Sequence, residues 1–337
     1  TDGTQKIIST EITSGVMTKM YDTPNYNTKV IPWVITINTD SYTMKNIVIK
    51  DVFPNGGLTL LPDTLKIQSV DGTAELLAPM DYELVPRSAD YKQGFTLIFH
   101  KTIQKAYTIK YSTLYNNDWK TDTTKPEFRN KSFIDYQYEN GETSSHEVEC
   151  PIWPDFMTQR NGAKQGSYDA SSKLITWDIK ANYNRKILNH AEVRDVLLQG
   201  QRLLPGSVKV YDMTLLGWWD GVQKGAEIPA DQYTIIPPTK QNSNELRIQF
   251  KKSIQTPYWI TFQTSLEGEL IEKEIHNRAL LLDGQKTVSD WAAQVTVPHG
   301  GEYVSKAGAQ NGNKIDWSIR INEGQSHVSN AKIVDQP

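Results

Sequence analysis

The stretch "NIVIKDVFP" (46–54) places a carboxylate where an apolar side chain belongs. Strand side chains alternate between faces, so Ile47, Ile49 and Asp51 share one row while Val48 and Lys50 point the other way. A lone charge on a buried row costs several kcal/mol, which leaves two outcomes. Either Asp51 ends its strand in solvent, as the turn-like "FPNGG" that follows suggests, or it is buried and must be paired or neutralised. A carboxyl of the second kind is suited to moving protons. The same row recurs as Ala191, Val193 and Asp195 in "NHAEVRDVL", and as Ala331, Ile333 and Asp335 in "SNAKIVDQP". The Asp-to-Asp steps are 144 and 140 residues.

Other reactive constellations are sparse. The six histidines (100, 146, 190, 276, 299, 327) are scattered, and none forms a metal-ligand spacing with another His or with Cys150. There is no phosphate loop and no dinucleotide fingerprint. No metal, no cofactor and no classical turnover are therefore expected. Two carboxylates from distant strands could still serve glycoside chemistry, so the alternative reading is a carbohydrate-binding or glycan-processing extracellular module. Cys150 is the one cysteine and cannot form an intrachain disulfide; the sequence assigns it no role. A net charge of −3 without a basic stripe argues against nucleic acid. No apolar run approaches the length of a membrane span, so no membrane insertion is expected.

The recurring Asp belongs to a long repeat. "VIPWVITIN" (30–38), "LITWDIKAN" (174–182) and "KIDWSIRIN" (314–322) align, each Trp 18 residues before its Asp. Downstream, "LPDTLKI" (61–67) matches "LPGSVKV" (204–210), and "DYELVP" (81–86) matches "QYTIIP" (232–237). "FTLIFHKTIQKAYTIKYST" (95–113) matches "LRIQFKKSIQTPYWITFQT" (246–264) without a gap, with apolar residues at period two. That period, the nine Trp, 16 Tyr and eight Phe, and the absence of sustained helical periodicity predict an all-β chain. The expected domains are two complete β-sandwich repeats, 15–155 and 156–300, each large enough for its own core. Residues 1–14 read as the closing strand of a preceding repeat, and 301–337 as the opening strands of a third.

These motifs, "W-x-I-x-I-N", "D-V-F-P", "L-P-D-T-L-K-I" and "Y-T-I-K-Y-S-T", resemble the repeat domains of Gram-positive surface adhesins of the collagen-binding type. The resemblance covers both full units and the terminal stub. It implies tandem immunoglobulin-like β-sandwiches of reversed topology, an extracellular, cell-wall-anchored setting, and a spontaneous Lys–Asn isopeptide bond assisted by an acidic residue. In that chemistry a neutral Lys amine attacks an Asn carboxamide while a protonated carboxyl polarises the amide. Burial favours both neutral forms together. Asp51 and Asp195 are then the assisting acids. The matching crosslinks are Lys19 with Asn130 of "FRNKSF", and Lys164 with Asn277 of "IHNRAL". Lys29 and Lys173, four residues before each Trp, compete for the role but read as outward charges. Lys306 and Asp335 hold the Lys and Asp places of a third set.

The resemblance implies an adhesin for an extracellular matrix protein or glycan, or a stalk that presents a distal binder. The possible ligand-binding residues are Trp218 and Trp219, in an insertion of the second unit (212–231), and Trp119 in "NNDWKTD". The terminal stubs could exchange strands between copies.

Overall fold

The alternation in 30–37 and 174–181 is kept in three dimensions. Ile31, Trp33, Ile35 and Ile37 are fully buried, as are Ile175, Trp177 and Ile179, and the residues between them are not. A computed structural model describes residues 15–116, 118–119, 127–218 and 221–336. It contains two compact units, and the main division falls between Gln159 and Arg160.

Among the described residues the first unit has ten strands: β1 (Met17–Tyr21), β2 (Val30–Ile37), β3 (Met44–Val52), β4 (Leu58–Ser69), β5 (Glu75–Leu76), β6 (Tyr82–Pro86), β7 (Phe95–Phe99), β8 (Tyr107–Tyr115), β9 (Phe128–Tyr138) and β10 (Thr143–Ile152). They form two antiparallel sheets, β1-β2-β8-β4-β5 and β10-β9-β3-β7-β6. Each sheet buries one face of alternating side chains against the other, as in an immunoglobulin-like sandwich.

The second unit repeats this order. Its strands are β11 (Gly162–Asp169), β12 (Leu174–Ala181), β13 (Ala191–Leu197), β14 (Arg202–Leu203), β15 (Lys209–Gly217), β16 (Gly221–Glu227), β17 (Tyr233–Ile236), β18 (Glu245–Phe250), β19 (Tyr258–Ser265), β20 (Glu274–Asp283) and β21 (Lys286–Thr296). The sheets are β11-β12-β19-β15-β16, with β14 also on β19, and β17-β18-β13-β20-β21. One local difference concerns the matched "LPDTLKI" and "LPGSVKV" segments. In β4 the first is absorbed as a register shift between Leu61 and Lys66, whereas the second breaks the strand into β14 and β15 around a turn. A Pro next to the permissive Gly206 (φ 75°) favours the break. Among the described residues, one five-residue α-helix, Phe156–Arg160, follows β10 in sequence.

After β21, and among the described residues, β22 (Val304–Asn311) and β23 (Lys314–Ile321) pair only with each other. The row that is buried in β2 and β12 is exposed here: Trp317 is 60% accessible and Ile321 54%. The expectation for residues 1–14 lies outside the described residues.

Candidate functional site

In the first unit, the alternation of β1 turns Met17 and Lys19 inward while Thr18 faces out. β1 is an edge strand of one sheet, and its lysine reaches toward the opposite sheet, where β3 and β9 lie side by side. Asp51 closes the inward row of β3 and pairs with Ser132 of β9; Asn130, two residues away on the same row, pairs with Cys150 of β10. From the lysine's own sheet, β8 contributes Tyr111, opposite Trp33.

All of these groups are buried, and Lys19 and Asp51 have fully inaccessible side chains. Lys19 Nζ forms a short hydrogen-bonded ion pair with Asp51 Oδ2. It also lies 2.7 Å from Asn130 Oδ1, 2.8 Å from the Tyr111 hydroxyl and 2.7 Å from Ser132 Oγ. Tyr111 donates to Asp51 Oδ2 at 2.9 Å and accepts from Asn130 Nδ2 at 3.0 Å, and Ser132 donates to the same Asp51 oxygen at 2.6 Å. Burial pulls the Lys19 pKa below its ordinary value, against the opposing pull of Asp51. Burial also pushes the Tyr111 hydroxyl well up, with Asp51 adding to it, and raises the Cys150 thiol to about 11. Removing two charges from water costs several kcal/mol per ion, and the pocket offsets part of that cost through the hydrogen bonds from Tyr111 and Ser132 to the carboxylate.

The second unit builds the same frame from fewer polar groups. Lys164 on β11 and Asp195 at the inward end of β13 pair at 2.7 Å with almost no exposure. Asn277 on β20 is 1% exposed, and neither its Oδ1 nor its Nδ2 has a hydrogen-bond partner. The rings of Trp177 and Phe262 each lie 5.0 Å from Lys164 Nζ. Burial raises the Asp195 pKa, outweighing Lys164 and the nearby Asn277 amide, which lower it; burial likewise lowers Lys164. Both shifts move toward a neutral amine beside a protonated carboxyl.

Strand register puts Phe262, Ala279 and Ala293 where the first unit has Tyr111, Ser132 and Cys150. Tyr111 and Ser132 are not among the residues expected from the sequence, and Cys150 has no role assigned there. The signal was present, because "YTIKYST" and "YWITFQT" align with Tyr111 over Phe262.

The other expected residues fare differently. Lys29 is not an outward charge: its side chain is buried, with Nζ 5.2 Å from the Tyr115 ring. Lys173 does remain at the surface and bonds to the carbonyl of Gln325. Trp119 is a packing residue and not a displayed one. It is 4% exposed, stacks on Tyr26 at 6.0 Å and packs against Tyr115 and Phe128 at 4.4 and 4.9 Å. Trp218 is 45% exposed, and Trp219 lies outside the described residues. Lys306 pairs with Asp335 beside Trp317, so the third Lys–Asp set is assembled in part. Among the described residues, His299, Glu302 and Glu323 bring ligand atoms within 4.8 Å of one another at the surface, where His299 is hydrogen-bonded to Glu302. No helix among the described residues is long and apolar enough to cross a membrane.

The model of the collagen binding domain matches residues 16–148 and again 159–290. No curated protein sequence matches the chain. Among solved structures, the collagen binding subdomain of the Enterococcus faecalis surface protein ACE is similar at 15% identity, covering 42% of this chain and 99% of its own, with a TM-score of 0.33. The collagen adhesin of S. aureus is similar at 12% identity over 86% of this chain and 89% of its own, with a TM-score of 0.30. A collagen-binding domain from a Staphylococcus aureus adhesin reaches 21% identity over 41% and 100%, with a TM-score of 0.29. The assignment rests on the two family matches, which together span most of the sequence: the chain belongs to the collagen-binding-domain family, with one copy in each β-sandwich unit.

Proposed function

We propose that the chain works as the adhesive or stalk part of a Gram-positive cell-wall surface protein. Each complete unit closes an intramolecular isopeptide bond, Lys19 to Asn130 and Lys164 to Asn277. Asp51 and Asp195 assist. The observation that carries this reading is the burial of Lys19 Nζ in hydrogen-bond contact with both Asp51 and Asn130. A neutral amine in an apolar pocket is a nucleophile. Nζ attacks Cγ of the Asn, the Nζ–Cγ bond forms, the Cγ–Nδ2 bond breaks, and one Nζ proton leaves with the nitrogen as ammonia. The Asp carboxyl accepts that proton and delivers another, and ends unchanged.

The bond would join an edge strand of one sheet to an inner strand of the other, so tension would pass through covalent bonds. It would close a loop of 111 residues in the first unit, worth about 4–5 kcal/mol on the chain-entropy estimate for crosslinks. Intact-protein mass spectrometry tests the reading: the chain should weigh less than its sequence by two ammonia molecules, and the full sequence mass removes it.

The family's name directs the ligand proposal to collagen, an extracellular matrix protein. Retention of the chain on immobilised triple-helical collagen, weakened by Trp218→Ala together with Trp219→Ala, supports the adhesive role. Absence of retention assigns the chain to the stalk.

A further inference from the structure

The two centres share Lys, Asp and Asn but differ in a hydroxyl that touches the atom destined to leave. Tyr111 donates to Asp51 Oδ2 at 2.9 Å and accepts from Asn130 Nδ2 at 3.0 Å. Its oxygen therefore bridges the carboxyl and the leaving nitrogen. Resting on the isopeptide reading above, the geometry points to Tyr111 as a catalytic residue that relays the proton from Asp51 to the departing ammonia in the first unit.

The step balances without any outside reagent. Beginning from the neutral amine and the protonated carboxyl, Lys19 Nζ attacks Asn130 Cγ. Asp51 passes its proton to Tyr111 as Tyr111 passes its own to Nδ2. The Cγ–Nδ2 bond breaks and ammonia leaves. Nζ, now bonded to Cγ, returns a proton to Asp51 across their short contact. Tyr111 and Asp51 end as they began. The hydroxyl gives and takes in one motion, so no phenolate forms in a pocket whose burial opposes it.

Ser132 separates relay from mere support. It also donates to Asp51 Oδ2 and also touches Lys19 Nζ, at 2.6 and 2.7 Å, yet it forms no bond with Asn130. Removing either hydroxyl perturbs the carboxyl; only removing that of Tyr111 cuts the path to the leaving nitrogen. The second unit has neither group, since Phe262 and Ala279 stand in their places; both lysines lie against two aromatic rings, but those around Lys164 carry no hydroxyl.

The whole chain is made by cell-free synthesis and quenched in denaturant at intervals. Digestion then allows the Lys19–Asn130 and Lys164–Asn277 crosslinked peptides to be counted side by side. Tyr111→Phe should slow the first crosslink by roughly 10²-fold, in the range of general acid–base effects, and leave the second unchanged. Ser132→Ala should slow the first crosslink by much less. In the wild type, the rate of the first crosslink should fall along a curved line as deuterium replaces hydrogen in the solvent, because two protons move together. A wild type that crosslinks with a linear deuterium dependence overturns the relay and leaves the isopeptide reading intact. Equal rates in Tyr111→Phe and the wild type, or equal slowing in the two variants, do the same. A wild type with no first crosslink removes both. The deuterium measurement needs no variant and decides the matter even if Tyr111→Phe does not fold.

Discussion

Tyr111 lies opposite Trp33 in the pairing of β8 with β2, and Phe262 lies opposite Trp177 at the same place in the second unit. The Tyr111 hydroxyl is therefore one of three polar groups, with Ser132 and Cys150, that distinguish the first buried lysine pocket from the second. In the first unit it joins a polar cluster of five side chains; in the second the place is apolar, and the side-chain amide of Asn277 meets no partner at full hydrogen-bond geometry, although it lies close enough to Asp195 to lower its pKa. An unsatisfied buried amide costs about 1–3 kcal/mol, and conversion to a crosslink would release its NH2 as ammonia and leave a single N–H, on the former lysine nitrogen, to be satisfied.

Asp51→Ala should leave the first unit folded and restore one ammonia to its mass. The variant keeps Lys19 buried but removes the proton carrier. The unit should lose the crosslink's contribution of about 4–5 kcal/mol, visible as a lower thermal midpoint. If Asp51→Ala still crosslinks, the carboxyl has no part in the chemistry.

The repeat was legible because strand periodicity and a spaced Trp and Asp survive in each copy, and the register of β2 with β8 matches that of β12 with β19. Lys19 and Lys164, expected from the family resemblance, stand at matching places 14 and 13 residues before their Trp. What counting could not supply was the depth of a side chain. Lys29 looks like a strand-leading charge until Tyr115 covers it, and Trp119 looks displayed until three aromatic neighbours enclose it. Both outcomes depend on residues distant in sequence, which no local pattern records. The polar shell of Tyr111, Ser132 and Cys150 comes from three strands, and becomes a unit only when the strands are in register.

Lys164→Met should make the second unit more stable in acid than at neutral pH. Burial raises the Asp195 pKa above 3.8, and removing the ammonium withdraws an interaction that opposes the rise. With the folded pKa above the unfolded one, the folded state binds the proton more tightly. Its stabilising contribution is therefore complete below about pH 3.8 and is lost as pH rises through the folded pKa. Each unit of separation is worth about 1.4 kcal/mol. Urea midpoints that rise between pH 4 and pH 7 would contradict this placement of Asp195.

Trp119→Ala should destabilise the first unit by about 3–5 kcal/mol, as expected for emptying an aromatic core position. Trp218→Ala should change stability by less than about 0.5 kcal/mol, as at an exposed site. Denaturant unfolding of both variants checks the pair. A stable Trp119→Ala protein would mean that its ring cluster with Tyr26, Tyr115 and Phe128 contributes little.

Lys306 should be the reactive member of the three repeat lysines. Its side chain is 34% exposed, while those of Lys19 and Lys164 are inaccessible. Its ion pair with Asp335 stands largely in solvent, where such pairs are worth about 1 kcal/mol or less and open freely. Burial holds the other two amines away from any reagent, and conversion to an amide would remove them entirely. Brief treatment of the native chain with an acetylating reagent should therefore label Lys306 and spare Lys19 and Lys164, as read from the digested peptides. Labelling of Lys19 or Lys164 at a rate similar to Lys306 would mean that those pockets open to water and hold neither a buried pair nor a bond.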